Sequence, residues 1–474
     1  MSVKIAKATP FEGKPKIMMP SVYGFSTGKE MFYTVPVIGK RPINISVRNL
    51  PDELCFNDGK FSGKIDADAE YSVTVIAENE LGRAEKEVRL SVAPDNLLRT
   101  PLMGFTTWNA YESAVSAEKV LRAAHLMRDL GIAEYGYGYI NLDSGWQKEY
   151  GGKYDAVIPS EKFPDMKAMY DEIHSLGFHG GIYSTPMLTA WGCPREYGSV
   201  PGCTAGEPDI LYTMQNGGIG VVRKEENNVR QWVEWGVDYL KYDWTPTDPH
   251  NAEFMKKELR TAERDIAFCA TVSASDAYGR YWQKNCSSWR DNCDSVPYFS
   301  NIRNRFDTVD KWENFVCPGH FYDLDMLAIG RQDLFSELPS LSENEELAEY
   351  TMTAFFSSPI QLSCHLDKLT EFEFDMICND EIIEINQDPL ASYPKLQKTY
   401  GQRDTVIYRR KLCGGDFAVA VFNMGETAFN DTYELGGMYH IRDVWAKENI
   451  GTADRLEIEL MPHSAAVYRM SEDK

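Results

Sequence analysis

The sequence predicts a multidomain α/β protein with a central (β/α)8 TIM barrel, an N-terminal Ig-like β-sandwich and a C-terminal antiparallel β-domain. Three observations support this prediction. The chain has 474 residues, which is too long for one compact domain. Strand-like and helix-like segments alternate between about residues 100 and 390, and both flanks consist of short strand-like runs separated by turns. The predicted domain limits are 1–95, 96–392 and 393–474.

The N-terminal region is predicted to begin with a loose lead-in over residues 1–20 and to continue as short strands. Tyr71, Val73, Val75 and Ala77 recur at every second position, which is typical of a strand with one buried face. Further strand-like runs are Phe32–Val37, Ile43–Val47 and the segment carrying Val88, Leu90 and Val92. Short strands at this spacing indicate a small sandwich. The region has no obvious set of catalytic groups, so a supporting role is favoured over ligand binding.

The middle of the chain contains eight strand candidates separated by helical stretches. The predicted strands are Met103–Trp108, Tyr139–Asp143, Gly180–Tyr183, Tyr239–Asp243, Ile266–Val272, Ser288–Arg290, a run ending at Asp325, and Ile360–Cys364. Predicted helices are Ser116–Leu130, Pro164–Leu176 and Ser342–Ser358, each followed by Gly or Pro as expected at a helix end. Eight strands in this order match a TIM barrel. An open doubly wound sheet would need a Gly-rich phosphate loop after its first strand, and the sequence has none.

Composition and charge exclude several classes of partner. The chain carries 49 Lys and Arg against 71 Asp and Glu, a net charge of −22, which argues against nucleic acid or an anionic membrane as partner. The sequence has no run of eighteen apolar residues that could span a bilayer. Its N-terminus lacks the apolar stretch of a signal peptide, so a cytoplasmic location is expected unless a leader was removed. The sequence predicts no particular oligomeric state.

The ten cysteines are scattered and form no CxxC pair, so the sequence indicates neither a zinc site nor a thioredoxin-type motif. Buried free thiols are the expected state in a large chain without a leader. The pairs close enough in sequence to examine as disulfides are Cys193 with Cys203 and Cys286 with Cys293.

The stretch WGVDYLKYDW, residues 235–244, reads as a buried parallel strand that ends in two charges. Lys241 and Asp243 are two residues apart, so their side chains share a face of the strand. A neighbouring cation lowers the pKa of a carboxylate and keeps it ionised, as a covalent glycosidase nucleophile requires. An ordinary strand ending in a surface ion pair has the same pattern, so this stretch alone does not decide between them.

Other predicted strands also end in groups suited to chemistry. These are Trp108, Asp143, Tyr183 and Asp325, and the sixth strand adds Arg290 and the following Asp294. Each has a structural alternative in the core or at a turn, but strand ends converge at the C-terminal face of a barrel. Aromatic rings stack on sugar faces and carboxylates bind hydroxyls. The set therefore predicts a carbohydrate site, where glycoside hydrolysis would need two carboxyl groups.

Eight stretches spread over about residues 100–390 resemble one known family. They are TPLMGFTTWNAY, YINLDSGW, KFPDMK, GGIYS, WGVDYLKYDW, SSWRDNCD, PGHFYDLDMLAIG and EINQDPL. Together they resemble the α-galactosidase and α-N-acetylgalactosaminidase family, family 27 of the glycoside hydrolases. The region before them resembles the small Ig-like module found ahead of some bacterial members. Residues from about 395 resemble the C-terminal antiparallel β-domain of the family.

The resemblance implies a role for each matched residue. Asp243 corresponds to the nucleophile and Asp294, four residues after the arginine of WRDNCD, to the general acid/base, with Asp291 as a rival in the same loop. Trp108 corresponds to the aromatic platform, and Asp143 to the first acid of a pair that binds hydroxyls remote from the anomeric carbon. The remaining sugar-binding positions are Tyr183, Lys241, Arg290 and Asp325. The implied mechanism is double displacement with retention, without a metal or organic cofactor.

The sequence departs from the family pattern at four places. Ser144 stands where the second acid of the pair is usual, and Phe321–Asp325 reads FYDLD where Trp-Asn-Asp-Pro-Asp is usual. Thr245 replaces a cysteine that commonly forms a disulfide, which agrees with a reducing compartment. The segment Val272–Tyr278, where the family binds the 2-substituent of the sugar, follows neither usual pattern.

The expected function is a retaining exo-glycosidase that removes terminal α-D-galactose from an oligosaccharide or glycoside. β-L-Arabinopyranosidase is the rival, because that sugar is galactose without its hydroxymethyl group and Ser144 lies in the motif that binds that side of the ring. α-N-Acetylgalactosaminidase is the third alternative. A catalytically silent carbohydrate-binding protein is disfavoured, because it would not need both Asp243 and Asp294.

Overall fold

The computed structural model describes residues 3–190, 201–208 and 218–472. Cys193, one member of a predicted cysteine pair, lies outside these ranges. The nine described cysteines are free thiols, among them buried Cys286 and exposed Cys293. Within the described ranges, no helix is both long enough and apolar enough to cross a bilayer.

The N-terminal region folds into short strands arranged in two main sheets. The strands are β1 (Lys16–Ile17), β2 (Val22–Phe25), β3 (Glu30–Thr34), β4 (Val37–Ile38), β5 (Asn44–Arg48), β6 (Leu54–Asn57), β7 (Lys60–Lys64), β8 (Ala69–Asn79) and β9 (Gly82–Val92). One sheet has the order β2-β9-β8-β5, the other β3-β7-β6, and β1 pairs with β4. Val73, Val75 and Ala77 of β8 are fully buried, as their alternation predicts. The Ig-like assignment stays a prediction.

Described residues between positions 3 and 20 are bound to distant parts of the chain, so the prediction of a loose lead-in is wrong. The N–H of Ala6 donates to the Trp445 carbonyl at 2.8 Å, and that of Ala8 to Asp375 Oδ1 at 2.7 Å. Met19 is fully buried. These partners lie hundreds of residues away in sequence, so the local pattern does not reveal them.

The described part of the central region contains twelve strands, eight of which form one parallel sheet, and the α-helices between them. Its strands are β10 (Met103–Thr106), β11 (Tyr139–Leu142), β12 (Gln147–Gly151), β13 (Ala156–Pro159), β14 (His179–Ser184), β15 (Thr204–Pro208), β16 (Gly220–Arg223), β17 (Tyr239–Asp243), β18 (Ala267–Thr271), β19 (Ser288–Trp289), β20 (Phe321–Tyr322) and β21 (Ile360–Leu362). Its helices are α1 (Trp108–Tyr111), α2 (Ala117–Asp129), α3 (Met166–Ser175), α4 (Glu225–Trp235), α5 (Pro249–Thr261), α6 (Gly279–Asn285), α7 (Phe299–Val309), α8 (Glu343–Phe355), α9 (Glu371–Ile377) and α10 (Asp380–Asn386). Short 3-10 helices cover Glu112–Ala114, Ile132–Tyr135, Asp276–Tyr278, Asp310–Trp312 and Leu366–Lys368.

The parallel sheet has the order β20-β19-β18-β17-β14-β11-β10-β21, so each of the eight predicted strands is present. The sheet curls until its two outer strands approach each other. Leu327, just after β20, donates its N–H to the carbonyl of Gln361 in β21 at 2.9 Å. In the described part of this region, β12–β13 and β15–β16 form two further antiparallel pairs outside this sheet. The arrangement fits a TIM barrel, whose strands all present their C-terminal ends at one face.

Local sequence explains the boundaries of the predicted helix α2. The side chain of Ser116 accepts the N–H of Lys119 at 3.3 Å and so caps the first turn. Val120, Ala124 and Met127 are fully buried on the predicted inward stripe. Gly131 follows with φ +77°, a left-handed conformation that glycine adopts without strain.

The C-terminal region forms a six-stranded antiparallel sheet that packs on the barrel. The strands are β22 (Lys395–Tyr400), β23 (Thr405–Lys411), β24 (Phe417–Asn423), β25 (Phe429–Asp443), β26 (Glu448–Leu460) and β27 (Ser464–Ser471), in the order β22-β23-β24-β27-β25-β26. Ala418, Ala420 and Phe422 of β24 join the barrel core. Their neighbours Val419 and Val421 join a second core within the C-terminal region. Strand β24 is therefore buried on both faces, which explains its continuous apolar sequence.

Candidate active site

Seven of the predicted site residues line one cavity of about 150 Å³. They are Trp108, Asp143, Ser144, Tyr183, Lys241, Asp243 and Asp294, and Val272 completes the described wall. The structure also has larger clefts of about 460 and 630 Å³ on the outside of the molecule, but neither contains any of these residues. The predicted grouping, rather than the size of the cavity, therefore identifies the candidate site.

The cavity residues come from the C-terminal ends of successive barrel strands. Trp108 follows β10, Asp143 and Ser144 follow β11, Tyr183 lies near the end of β14, Lys241 and Asp243 lie in β17, Val272 follows β18, and Asp294 lies in the loop after β19. Since parallel strands of a barrel end at one face, residues far apart in sequence converge there.

Lys241 and Asp143 form a buried ion pair at one side of the cavity. Lys241 Nζ is 2.7 Å from Asp143 Oδ2, and it lies 5.9 Å from the centre of the Tyr183 ring. Burial lowers the pKa of Lys241, but the charges of Asp143 and Asp325 outweigh it, and the net shift is upward. Asp143 is held further by its N–H, which donates to Thr107 Oγ1 at 2.9 Å. The pair presents a fixed cation and a fixed carboxylate to a ligand.

Asp243 is 9% exposed, and its Oδ1 accepts no hydrogen bond from any residue that the structure describes. Burial raises the pKa of Asp243 to about 7, although Lys241 and Arg290 act in the opposite direction. The sequence predicted a pKa lowered by Lys241, and this expectation is wrong. Loss of hydration outweighs the cation, whose direct partner is Asp143.

Asp294 lies in a different environment, with 54% of its side chain exposed. Both terminal nitrogens of Arg290 donate to Asp294 Oδ1 at 2.8 Å. Partial burial raises the pKa of Asp294, but Arg290 and Lys241 lower it, and the net shift is downward. The two carboxyl groups of the cavity thus have pKa values shifted in opposite directions, an arrangement common in acid/base sites.

Asp291, the rival to Asp294 in the same loop, is not among the cavity residues. Its side chain accepts a hydrogen bond from Trp312 Nε1 at 3.2 Å, contacts the Tyr322 hydroxyl and pairs with Lys311. Only 4% of it is exposed. The structure therefore separates two acids that are three residues apart in sequence.

Arg290 and Asp325 lie behind the cavity rather than in its described wall. Arg290 is 2% exposed, and its Nη1 lies 2.8 Å from Asp325 Oδ2. Its Nε donates to Thr271 Oγ1 at 2.6 Å. Sequence reasoning named Val272 only as the end of a predicted strand and the start of a segment of unusual pattern, and it did not name Thr271. Their position at the end of the fifth barrel strand was the signal that could have identified them.

Among residues 3–190, 201–208 and 218–472, no three His, Cys, Asp or Glu side chains converge in a way that could hold a metal ion.

Comparison with known proteins gives matches over most of the chain. A family model described as "Alpha galactosidase A" matches residues 209–388, and one described as "Alpha galactosidase C-terminal beta sandwich domain" matches residues 402–470. An α-galactosidase from Coffea arabica is 28% identical over 375 residues, which cover 76% of this chain and 91% of that protein. The chain is a glycoside hydrolase. These matches support its placement in family 27, as the motifs suggest.

Solved structures share the fold of this glycoside hydrolase. A putative α-galactosidase/melibiase from Bacteroides fragilis has a TM-score of 0.86 at 24% identity, covering 98% of this chain and 99% of that one. A family 27 β-L-arabinopyranosidase from Geobacillus stearothermophilus has a TM-score of 0.68 at 20% identity, covering 79% and 98%. At these identities the likeness concerns the fold and does not decide the substrate.

Proposed function

We propose that this glycoside hydrolase removes terminal α-D-galactose by double displacement, with retention of configuration. The observation that carries the proposal is the single small cavity that joins Asp243 and Asp294 to Trp108 and the Lys241–Asp143 ion pair. The cavity of about 150 Å³ is smaller than the roughly 300–1,000 Å³ of sites for drug-sized ligands, which suits one sugar ring.

In the first step, Asp243 attacks the anomeric carbon while Asp294 gives its proton to the departing oxygen. In the second step, Asp294 takes a proton from water, and the resulting hydroxide releases the sugar from Asp243. Trp108 supplies a face for the ring, while Asp143, Lys241 and Tyr183 bind its hydroxyl groups.

This mechanism requires an ionised Asp243 and a protonated Asp294, whereas the pKa shifts of the ligand-free site favour the reverse. Between the lowered pKa of Asp294 and about pH 7 the pair holds about one proton in total, and coupled groups share such a proton. A bound sugar covers the half-exposed Asp294 and raises its pKa by removing water. We infer that substrate binding moves the shared proton from Asp243 to Asp294.

A β-L-arabinopyranosidase is the second candidate. Ser144 lines the cavity and is 1% exposed, and no second carboxylate stands at that position. A galactose hydroxymethyl group therefore loses an acceptor there, whereas arabinopyranose lacks that group. The Geobacillus stearothermophilus structure of similar fold bears this activity in its name.

A matched set of chromogenic substrates distinguishes the candidates. Hydrolysis rates are measured for the α-D-galactoside, the β-L-arabinopyranoside and the α-N-acetylgalactosaminide of one phenol. A higher kcat/KM for the galactoside supports the proposal, and preference for the arabinopyranoside favours the second candidate. No hydrolysis of any of the three would contradict both. Proton NMR of the first sugar released tests retention, since an inverted anomer would contradict double displacement.

Replacement of the proposed nucleophile is the direct test of mechanism. Asp243→Asn is expected to lower kcat by at least about 10³-fold, because amide nitrogen and oxygen cannot replace the attacking carboxylate. Asp291→Asn is the matched control, since Asp291 is a buried acid outside the cavity. Circular dichroism and thermal unfolding check whether both variants are folded. Undiminished activity in folded Asp243→Asn would remove Asp243 from the mechanism.

A further inference from the structure

Asp325 makes contacts that differ from those expected of a sugar ligand. It is 3% exposed, has φ +75° and is absent from the described wall of the cavity. Its Oδ2 lies 2.8 Å from Arg290 Nη1 and accepts the N–H of Ser295, also at 2.8 Å. Arg290 is the side chain that binds Asp294, and Ser295 is the next residue after Asp294. Oδ2 of Asp325 thus contacts both the side chain that binds Asp294 and the backbone of the residue that follows it.

The contacts continue from Ser295 into the body of the barrel. Arg305 of α7 donates to Ser295 Oγ, and its Nη1 donates to Glu349 Oε1 of α8 at 3.2 Å. The other oxygen of Glu349 accepts the N–H of Ala328 at 3.0 Å, three residues after Asp325. Arg305 and Glu349 are buried, with 2% and 0% of their side chains exposed.

These contacts join two loops that carry the site. The loop after β19, with Asp294 and Ser295, and the loop after β20, with Asp325 and Ala328, are tied directly by Asp325 and indirectly by Arg305 and Glu349. Buried charges are costly unless they are paired and hydrogen-bonded. A network of this kind therefore allows few alternative arrangements of the two loops.

We propose that Asp325 is a positioning residue for the acid/base Asp294, which it holds through Arg290 and Ser295, with Arg305 and Glu349 as supports. The inference rests on the proposed role of Asp294. A general acid must stand within hydrogen-bond distance of the departing oxygen, and misplacement by 1 Å can cost about 10²-fold in rate. The side chain of Asp294 is half-exposed, so its position depends on Arg290 and on the backbone at Ser295.

The test uses two substrates with the same sugar and different leaving groups. Asp325→Ala is expected to lower kcat about 10–100-fold on a disaccharide, whose leaving oxygen needs a proton, with KM nearly unchanged. On the 2,4-dinitrophenyl glycoside, whose leaving group departs without protonation, kcat/KM reports only the attack by Asp243 and is expected to change less than about threefold. Asp325→Asn keeps an acceptor oxygen, so its kcat on the disaccharide should fall less than that of Asp325→Ala.

Two results would overturn the proposal. A rise in KM on both substrates alike would make Asp325 a direct sugar ligand, and an equal fall in kcat/KM on both with KM unchanged, matching a loss of folded protein, would make it structural only. Asp291→Asn in the same loop is the control for general disturbance. Ser295→Ala, which removes only the contact with Arg305, is the milder variant and should show the same dependence on the leaving group.

A readout without turnover separates this inference from the proposed function. Crystal structures of the wild type and Asp325→Ala show whether the Asp294 carboxylate and the Ser295 backbone move relative to Arg290. Displacement supports the inference, and an unchanged loop overturns it, whichever sugar is the substrate. Failure of the wild type to hydrolyse the dinitrophenyl glycosides of the three candidate sugars would instead contradict the proposed function.

Discussion

Asp243 shows how one residue's chemistry depends on exclusion of water. Burial raises its pKa to about 7 even though Lys241 and Arg290 lie nearby. Because the pKa of Asp294 is lowered and that of Asp243 is raised, the pair holds one shared proton over a range of pH. This range begins below the usual carboxyl pKa and ends near 7. This range sets the pH at which the proposed mechanism operates.

The expected pH dependence follows from the loss of that proton. For a substrate with a sugar leaving group, kcat/KM is expected to fall as the pH rises through about 7, because the free enzyme then has no proton for the leaving group. In Asp294→Ala acting on a dinitrophenyl glycoside, the first step needs only ionised Asp243, so kcat/KM is expected to rise with pH to a plateau at or below about 7. A wild-type kcat/KM that stays constant from pH 6 to 9 would contradict the shared proton.

Ser144 is the cavity residue expected to affect the preference between α-D-galactosides and β-L-arabinopyranosides. Ser144→Asp restores the second acid of the family motif in a side chain that lines the cavity. The ratio of kcat/KM for the α-D-galactoside over the β-L-arabinopyranoside is expected to rise at least about tenfold, because a charged acceptor adds about 1.5–3 kcal/mol when it is fully used. Ser144→Ala is the control and should not raise the ratio. An unchanged ratio in folded Ser144→Asp would mean that this position does not bind the hydroxymethyl side.

At the scale of the element, β17 has a structural acid before its first residue and a proposed catalytic acid at its last. Asp238 precedes the strand, and Asp243 is its last residue. Asp238 accepts bonds from Arg264 Nε at 2.9 Å and from the Gly180 N–H at 2.8 Å, and its Oδ2 lies 2.8 Å from His174 Nε2. Burial raises the pKa of Asp238, but the bonds to His174 and His179 and the charge of Arg264 hold it well below its usual range.

Substitution of Asp238 before β17 should lower stability but not activity, whereas substitution of Asp243 at its end should lower activity but not stability. Asp238→Ala is expected to cost about 3 kcal/mol in the free energy of unfolding at pH 7, because Arg264 and His174 lose their partner, while kcat stays within about twofold. Asp243→Asn should lose activity and be no less stable at pH 8. Its pKa is raised in the folded state, so ionisation destabilises the wild type as the pH rises from about 4 to 7. Denaturant unfolding at pH 7 for Asp238→Ala and at pH 8 for Asp243→Asn, with kcat measured below the melting temperature, checks both predictions. A fall in kcat without loss of stability in Asp238→Ala would contradict this division.

At the scale of the whole molecule, the N-terminal sheets lie at the barrel face opposite the cavity. Ser26 donates its N–H to Asp265 Oδ2 at 2.8 Å, and Thr34 Oγ1 donates to the Gly177 carbonyl at 2.8 Å. The ring of Phe32 lies edge-on to His174 and His179, with centres 5.7 and 5.4 Å apart. Gly177 and Asp265 stand just before β14 and β18, and His179 is the first residue of β14, so these contacts lie where the barrel strands begin. Such contacts favour a supporting role for the N-terminal region.

Loss of a contact at this interface should affect stability alone. Phe32→Ala is expected to lower the free energy of unfolding by about 2 kcal/mol, less than the 3–5 kcal/mol typical of a fully buried phenylalanine, with KM and kcat unchanged. Leu81→Ala, at an exposed turn of the same region, is the control and should change stability by less than about 0.5 kcal/mol. A large change in KM for Phe32→Ala would indicate that the N-terminal region contributes to substrate binding.

The sequence by itself determined the eight barrel strands and the residues that stand at their ends. Strand and helix periodicity is local, and a barrel sends every strand's C-terminal end to one face, so Trp108, Asp143, Tyr183 and Asp243 could be grouped in advance. The loop after the sixth strand added Asp294, and the family motifs added its expected acid/base role and the glycoside hydrolase assignment. The limits of the three domains and the individual catalytic roles stay predictions.

Only the tertiary structure decided which neighbours these side chains have. It paired Lys241 with Asp143, 98 residues away, separated Asp291 from the cavity, and placed Asp325 behind Arg290. It also reversed the expected direction of the pKa shift of Asp243. Ion pairing and desolvation depend on contacts between distant parts of the chain and on exclusion of water from them, and neither is encoded in the local pattern of residues.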